Sequence, residues 1–574
     1  MACKEPDFEI PPPGRSHPID WSLVVVTAAY LIAAVVMWWT IHQRTGELSY
    51  TIDDAYIHGT LAKNIVANGT FGIIPGEFAA ASSSLLWTLL LALVFFVTGP
   101  VAWIPAVLGT LFGALAIERA NALLRDLGIG SGARAVVILM ALACAPVLPI
   151  LSTGMEHTLH AWTMVGLMVS LLGFFNKKGG SLGAVFVWAL LAGGARYESL
   201  FALPPLLIFL ALRRQWSAAF ALGCGMALPG LAFAIYSVAH GGFPLPNSLI
   251  MKGNIKGAGH LRAWQMAVAN SYILVLLMLL TAAAAVSHFR RKPGDERCTW
   301  LPVSLIAMIA IHLQLAQLGW FYRYEGYLIF LGFIAAATLL VPLQTWMRRH
   351  PVALSAAVCV ILLAATFPLL RRSVLATGQI VHAAGNIHDQ QGQMALVSRL
   401  LGPGARVAVN DLGAVSFFSD AQVLDLFGLG DNRLTRAKVA HYLAKGAPVG
   451  GSKPGPAPFL SFAHLRELAG LGKLDKQDLP YGAEFLKQRL EEELTDYVIC
   501  YPGWFGEPNE LPATLIPVEV WVLGDNWICG GDTVAFYGTS PEAAGKLAAA
   551  LEAYRPKAAA DPQSTNRMYP LTFN

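Results

Sequence analysis

Long apolar runs separated by short polar or basic stretches dominate the first two-thirds of the chain. Runs of about 17–22 residues read as membrane spans, because a helix rises about 1.5 Å per residue and the hydrocarbon layer is about 30 Å thick. Candidates fall at Trp21–Ile41, Trp103–Leu124, Ala135–Leu151, Leu159–Phe175, Leu182–Gly194, Leu200–Leu212, Ala218–Val238, Tyr272–His288, Leu301–Leu318, Tyr327–Val341 and Val352–Leu370. One further run, Ser83–Val97, is short and flanked by Thr98-Gly99-Pro100. The pattern changes beyond residue 372, where short apolar stretches alternate with polar turns and predict a soluble α/β region. Arg406–Asn410, Gln422–Leu426 and Tyr497–Tyr501 read as strands, Phe462–Leu471 and Tyr481–Leu494 as helices, and Gly450–Pro458 as a loop.

Composition agrees with a polytopic membrane protein. Of 574 residues, 55% are hydrophobic and 13% charged, and the mean hydropathy is +0.53; a soluble chain carries about a quarter charged residues. No basic cluster with interleaved aromatics suggests nucleic acid. The first apolar run follows a polar segment without a small-residue cleavage site and reads as a retained helix. Cys144, Cys224 and Cys359 lie in apolar runs as small core residues, whereas Cys500 and Cys529 fall in the polar region and could pair as a disulfide if it is extracytoplasmic.

Charge orients the spans. If Ser83–Val97 dips in or lies along the outer surface, the clusters Arg119/Arg125/Arg134, Lys177/Lys178, Arg213/Arg214, Arg290/Arg291/Lys292/Arg297 and Arg348/Arg349 all become cytoplasmic. If it crosses, all become external. The first arrangement gives about 11 spans, an inner N-terminus and an outer C-terminus, with Arg371/Arg372 as the exception. Asp53, Asp54, Glu156, Arg196, Glu198, Lys252, Arg323 and Glu325 then all lie on the outer side near span ends. The expected architecture is a transmembrane domain over residues 1–372, with a first outer loop at 43–102, and an extracytoplasmic α/β domain over residues 373–574.

In that outer loop, Thr51 can cap a helix starting near Ile52, with Asp53 and Asp54 in its first turn. Ile57, Leu61 and Ile65 form an apolar stripe suited to the membrane surface, and Asn68-Gly69 ends the helix. Charge beside hydrocarbon is costly and usually functional. Tyr322, Tyr324 and Tyr327 suit an interfacial aromatic belt around Arg323, and Arg196 can pair with Glu198. Gly413 belongs to no phosphate-loop pattern.

Asp53-Asp-Ala-Tyr-Ile57, Leu61-Ala-Lys-Asn64, Asn68-Gly69, Pro75-Gly-Glu77 and Leu86–Leu93 together resemble the opening of membrane glycosyltransferases of the GT-C fold, nearest the arabinofuranosyltransferase-like group. Ser152–Glu156, Ala195–Glu198, Pro246-Asn-Ser248 with Lys252, Val407–Gly413 and Val423–Gly428 are similar to further segments of that group, in the same order. Ala81–Trp87 and Tyr197 depart from its pattern. The resemblance implies transfer of a sugar, arabinofuranose in that group, from a polyprenyl-phosphate donor to an extracytoplasmic glycan or protein acceptor in a bacterial inner membrane. It also implies a first-loop aspartate, Asp53 or Asp54, as general base. Lys252, Arg323, Arg196 and His58 are the candidates for the donor phosphate. Glu156, Glu198, Tyr56, Glu325 and Asn247 are those for sugar or acceptor. No nucleotide or organic cofactor is required, and a divalent cation could sit on Asp53 and Asp54. Rival readings are a lipid or solute transporter, which would be expected to show inverted repeats, and a non-catalytic glycan-binding membrane protein.

Overall fold

Helix α1 (Trp21–Thr45) shows how the apolar pattern is spent. Val26, Tyr30, Ala34, Met37 and Ile41 recur at helical spacing and are buried, whereas Trp21, Val25, Ile32, Val35 and Trp39 face outward. Only a hydrocarbon surround makes such an outer surface tolerable, and the chain is an integral membrane protein. The computed structural model describes residues 20–175, 180–252, 262–289, 299–340, 343, 352–444, 481–505, 511–559 and 566–570. The predicted loop Gly450–Pro458, the predicted helix Phe462–Leu471 and the basic clusters at 177–178, 290–297 and 348–349 lie outside these residues.

The helical part continues through α2 (Asp54–Asn68), α3 (Leu85–Thr98), α4 (Ile104–Asp126), α5 (Ser131–Cys144), α6 (Val147–Ser152), α7 (His157–Phe175) and α8 (Leu182–Ala195). There follow α9 (Leu203–Leu212), α10 (Trp216–Ala239), α11 (Asn247–Lys252), α12 (Arg262–Ala269), α13 (Ser271–Phe289), α14 (Trp300–Leu315) and α15 (Gly326–Ala336). Among the described residues, α1, α4, α10 and α13 are the 4 helices long and apolar enough to cross a membrane. Shorter apolar helices occupy most other expected positions, so the expectation of about 11 spans is met only in part. The predicted span Ala135–Leu151 divides at Pro146 into α5 and α6, because proline lacks the amide hydrogen that a continuous helix needs.

Asp20, at the start of α1, pairs with Arg134 of α5 at 2.6 Å and accepts from Asn121 of α4 at 3.0 Å. This marks one end of the bundle. Asp54, Glu156, Arg196, Glu198, Arg323 and Glu325, by contrast, sit at or beside the ends of other helices.

Helix α2 differs from its expected place on the membrane surface. Ala55 through Ala62 are all buried, and the helix is clamped between α3 and the helix Gly413–Phe418 of the C-terminal part. A Cβ on Gly59 would stand 2.9 Å from the Phe417 ring, so the missing side chain permits this approach. Thr51 does not cap α2; its Oγ1 lies 3.2 Å from Ser152 Oγ and the helix begins at Asp54. The end at Asn68 is as predicted, with Gly69 left-handed at φ 67°.

The helix Val352–Gly378 runs unbroken through the boundary expected at residue 372. Beyond it lies a 6-stranded sheet in the order β2-β1-β3-β5-β4-β6. Strands β1 (Arg406–Val409), β2 (Gln422–Asp425) and β3 (Tyr497–Cys500) are mutually parallel, pairing Val407 with Val423 and with Tyr497. These were the three strands legible as apolar runs, as expected for parallel strands covered on both faces. Strands β4 (Ile516–Leu523), β5 (Thr533–Gly538) and β6 (Asn566–Pro570) extend it antiparallel. Cys500 and Cys529 are both free, which corrects the expected disulfide. Cys500 packs in the smaller core with Leu424, Phe485 and Val498, while Cys529 lies in the main core and donates to the Asn386 carbonyl at 3.3 Å.

Candidate active site

Four chain segments meet at the head of the bundle: the start of α2, the α6–α7 turn, the end of α8 and the α14–α15 loop. Gly154, left-handed at φ 67°, makes the α6–α7 turn, and a Cβ there would collide with the Tyr50 ring. The turn delivers Glu156, which is wholly buried. Arg196, just past α8, donates through Nη1 to Glu156 Oε1. It also holds Glu198 in a fork, Nε to Oε2 at 3.0 Å and Nη2 to Oε1 at 2.5 Å. Ser83 Oγ donates to Glu156 Oε1 at 3.2 Å, and His58 Nε2 lies 3.7 Å from Glu156 Oε2. His58 Nδ1 is 3.1 Å from Thr88 Oγ1 and 3.2 Å from Ser82 Oγ. Burial pushes the His58 imidazole below its ordinary range and favours its neutral form at pH 7.

Arg323 arrives from a strained loop. Trp320, Phe321 and Tyr322 all have positive φ (45°, 61° and 60°), each at a cost of about 1–2 kcal/mol. Ring contacts and an ion pair hold this run. The Phe321 ring meets Trp527 edge-on at 5.3 Å. Arg372 lies 4.1 Å from the centre of the Tyr322 ring and 4.0 Å from that of Tyr272. Glu325 accepts from Gly319 N at 2.9 Å and pairs with Arg372 at 2.9 Å. The loop thereby sets Arg323 Nη2 2.7 Å from Asp54 Oδ2 and 3.2 Å from the Tyr324 hydroxyl, with Nη1 2.7 Å from Met155 Sδ. The tyrosines placed in an interfacial belt are therefore internal ring partners: Tyr322 with Arg372, Tyr324 with Arg323, and Tyr327 with His160 at 4.3 Å. Arg372, the exception to the charge rule, has a structural partner in Glu325.

Asp54 with Arg323, and His58, Glu156 and Glu198 with Arg196, thus form two neighbouring clusters, buried except for the half-buried Asp54. Other candidates lie elsewhere. Asp53 turns to the C-terminal part, where its carboxylate accepts from Gly413 N at 2.5 Å and Ala414 N at 2.7 Å. Tyr56 packs on Tyr50, Phe417 and Phe418. Asn247 donates to Leu429 O at 3.0 Å and to Asn432 Oδ1 at 2.9 Å, again a junction with the C-terminal part. Glu325 belongs to the Arg372 pair. Lys252 closes α11, and its side chain lies outside the described set.

A small cavity adjoins the network. Ala116, Leu142 and Phe330 are among its apolar lining residues, and His157, His160, Arg323 and Tyr327 among its polar ones. Glu156 Oε2, His157 Nε2 and Arg323 Nε are buried without a hydrogen-bond partner among the described residues. Buried polar atoms are nearly always paired, so the two that belong to cavity-lining residues, His157 and Arg323, suit a polar ligand group. His157 and His160 were missed in the sequence, although two histidines directly after Glu156 at the head of a span were a readable sign. Among the described residues no group of three or more His, Cys, Asp or Glu side chains is placed to hold a metal ion. Asp53 and Asp54 face different partners.

This arrangement of helices and terminal sheet is shared with solved proteins. ArnT from Cupriavidus metallidurans, bound to undecaprenyl phosphate, superposes with a TM-score of 0.50 at 13% identity, over 92% of this chain and 99% of that one. The fold is GT-C. An oligosaccharyltransferase from Archaeoglobus fulgidus, tethered to an acceptor peptide containing the NVT sequon, also superposes with a TM-score of 0.50, at 12% identity, over 92% of this chain and 74% of that one. Residues 385–537 match a family described as a domain of unknown function (DUF8728). No curated protein matches the chain.

Proposed function

We propose that this GT-C protein transfers a sugar from a polyprenyl-phosphate carrier to a hydroxyl acceptor on the extracytoplasmic side of a bacterial inner membrane. The observation that carries this reading is the pairing of Asp54 with Arg323, which lines an apolar-walled cavity, next to the buried cluster of His58, Glu156, Arg196 and Glu198. Transfer at an anomeric carbon needs a base for the acceptor proton, a partner for the leaving phosphate and groups to hold the ring. A first-loop aspartate takes the proton as the hydroxyl oxygen attacks. The anomeric C–O bond to phosphate breaks, and the phosphate leaves with the bonding electrons. Arg323 suits that phosphate, since it lines the cavity and its Nε has no hydrogen-bond partner among the described residues. Arg196 is held by two carboxylates and suits a scaffold for Glu156 and Glu198, which can hold sugar hydroxyls. The undecaprenyl phosphate bound by the similar ArnT supports a lipid-phosphate ligand, while the pentose rests on the sequence resemblance. Purified protein in lipid nanodiscs, given a panel of polyprenyl-phosphate sugars and sugar acceptors, should release polyprenyl phosphate with at least one donor. Absence of release across the panel, with carrier or solute movement in proteoliposomes, would instead favour the transporter reading.

A further inference from the structure

We infer that the adjacent aspartates divide the work: Asp54 is the base, and Asp53 is a positioning residue that fastens the reaction loop to the C-terminal part of the chain. The assignment of Asp54 rests on the proposed sugar transfer; that of Asp53 does not.

Both oxygens of Asp53 are engaged. Oδ2 accepts from Gly413 N and Oδ1 from Ala414 N, and the residue is 5% exposed. A carboxylate covered in this way has no direct approach for an acceptor hydroxyl. Gly413 is required for the contact, because a Cβ there would stand 2.5 Å from Asp53 Oδ2 and closer still to the Asp53 carbonyl oxygen. Lys63 Nζ adds a bond to the Phe417 carbonyl at 3.4 Å, and Gly59 lets Phe417 settle on the same helix. Two glycines, one on each partner, thus allow the 413–418 helix and α2 to approach closely.

One residue on, Asp54 points the other way. Its side chain is 19% exposed, and it faces Arg323, the proposed phosphate partner, at 2.7 Å. A base at this position stands next to the charge that develops on the leaving group. Because 53 and 54 are consecutive, fixing the first at the start of α2 fixes the direction of the second. The C-terminal part then acts on catalysis through Asp53, without contributing a reacting group.

The test uses full-length protein carrying Asp53→Asn, Asp54→Asn or Gly413→Ala, read by hydrogen–deuterium exchange and by sugar transfer. Exchange in peptides covering 50–60 and 411–418 should rise at least threefold in Asp53→Asn and Gly413→Ala, and stay at the wild-type level in Asp54→Asn. Unchanged exchange in both former variants overturns the fastening role whether or not any activity is found. In the transfer assay Asp54→Asn should lower kcat by at least a thousandfold. Asp53→Asn and Gly413→Ala should lower it by similar, smaller factors of about ten and keep the wild-type pH profile on the base limb. Loss of turnover in Asp53→Asn with retention in Asp54→Asn would reverse the assignment, whereas a wild-type protein inactive with every donor would sink the proposed reaction but leave the exchange result standing.

Discussion

Replacing Arg196 by Met should unfold the site in a predictable way. Arg196 is 5% exposed and compensates two carboxylates, one of them the fully buried Glu156. Once it is gone, Glu156 keeps the Ser83 hydroxyl at 3.2 Å and the largely neutral His58 at 3.7 Å. Glu198 loses both arms of its fork. Removing one partner of a buried pair costs about 3–5 kcal/mol, because the other charge stays buried or must take up a proton. Glu156→Gln is a milder change: the amide keeps an acceptor for Ser83 and for Arg196, and Arg196 retains Glu198. Its cost should be about 1–2 kcal/mol, that of weakened hydrogen bonds to a charged group. Denaturant unfolding in mixed micelles, followed by tryptophan fluorescence, measures both. The decisive variant is the double mutant. Once Arg196 is absent, neutralising Glu156 removes one of two stranded charges, so Arg196→Met/Glu156→Gln should be more stable than Arg196→Met alone. If the double mutant is the less stable of the two, the two costs add and the charge argument fails.

Other outcomes follow from the same contacts. Burial holds the Asp53 carboxyl at about 6, above the ordinary 3.8, and the titratable groups acting on it include Asp54, Asp411, Tyr501 and Cys529. A raised carboxyl keeps its proton in the native state after the unfolded chain has lost its own. This stability is complete below about pH 4, on the order of 2–3 kcal/mol, and disappears as pH rises through 6; the difference in unfolding midpoint between wild type and Asp53→Asn should therefore shrink across that window, and a constant difference would refute it. Gly59→Val should press on Phe417, cost about 1–3 kcal/mol as overpacking and raise protease cleavage in the 411–418 segment, while Gly132→Ala, with open space around it, should leave that cleavage unchanged. Cys529 is buried with its thiol pushed up from the ordinary range, so thiol alkylation should require unfolding and reductant should leave the melting temperature unchanged.

The amino-acid sequence determined the membrane character, the end of α2 at Asn68-Gly69, the three apolar strands β1–β3 and the presence of acids and arginines near helix ends. Each is a local property: the period of the apolar positions, a glycine after a helix, or a charge beside hydrocarbon. Tertiary structure decided the partners. Asp53 finds its amides 360 residues on, and Asp54 finds Arg323 across a separation of 269. No periodicity encodes such pairings; they arise when packed helices and a docked sheet bring distant ends together and every buried charge must be matched. The half-buried strands β4 and β5 and the buried place of α2 escaped for the same reason, since what covers them lies elsewhere in the chain. The Asp53-Asp54 pair was visible at once as two acids beside a membrane. Only the fold turned one inward to the C-terminal part and left the other facing the cations of the site.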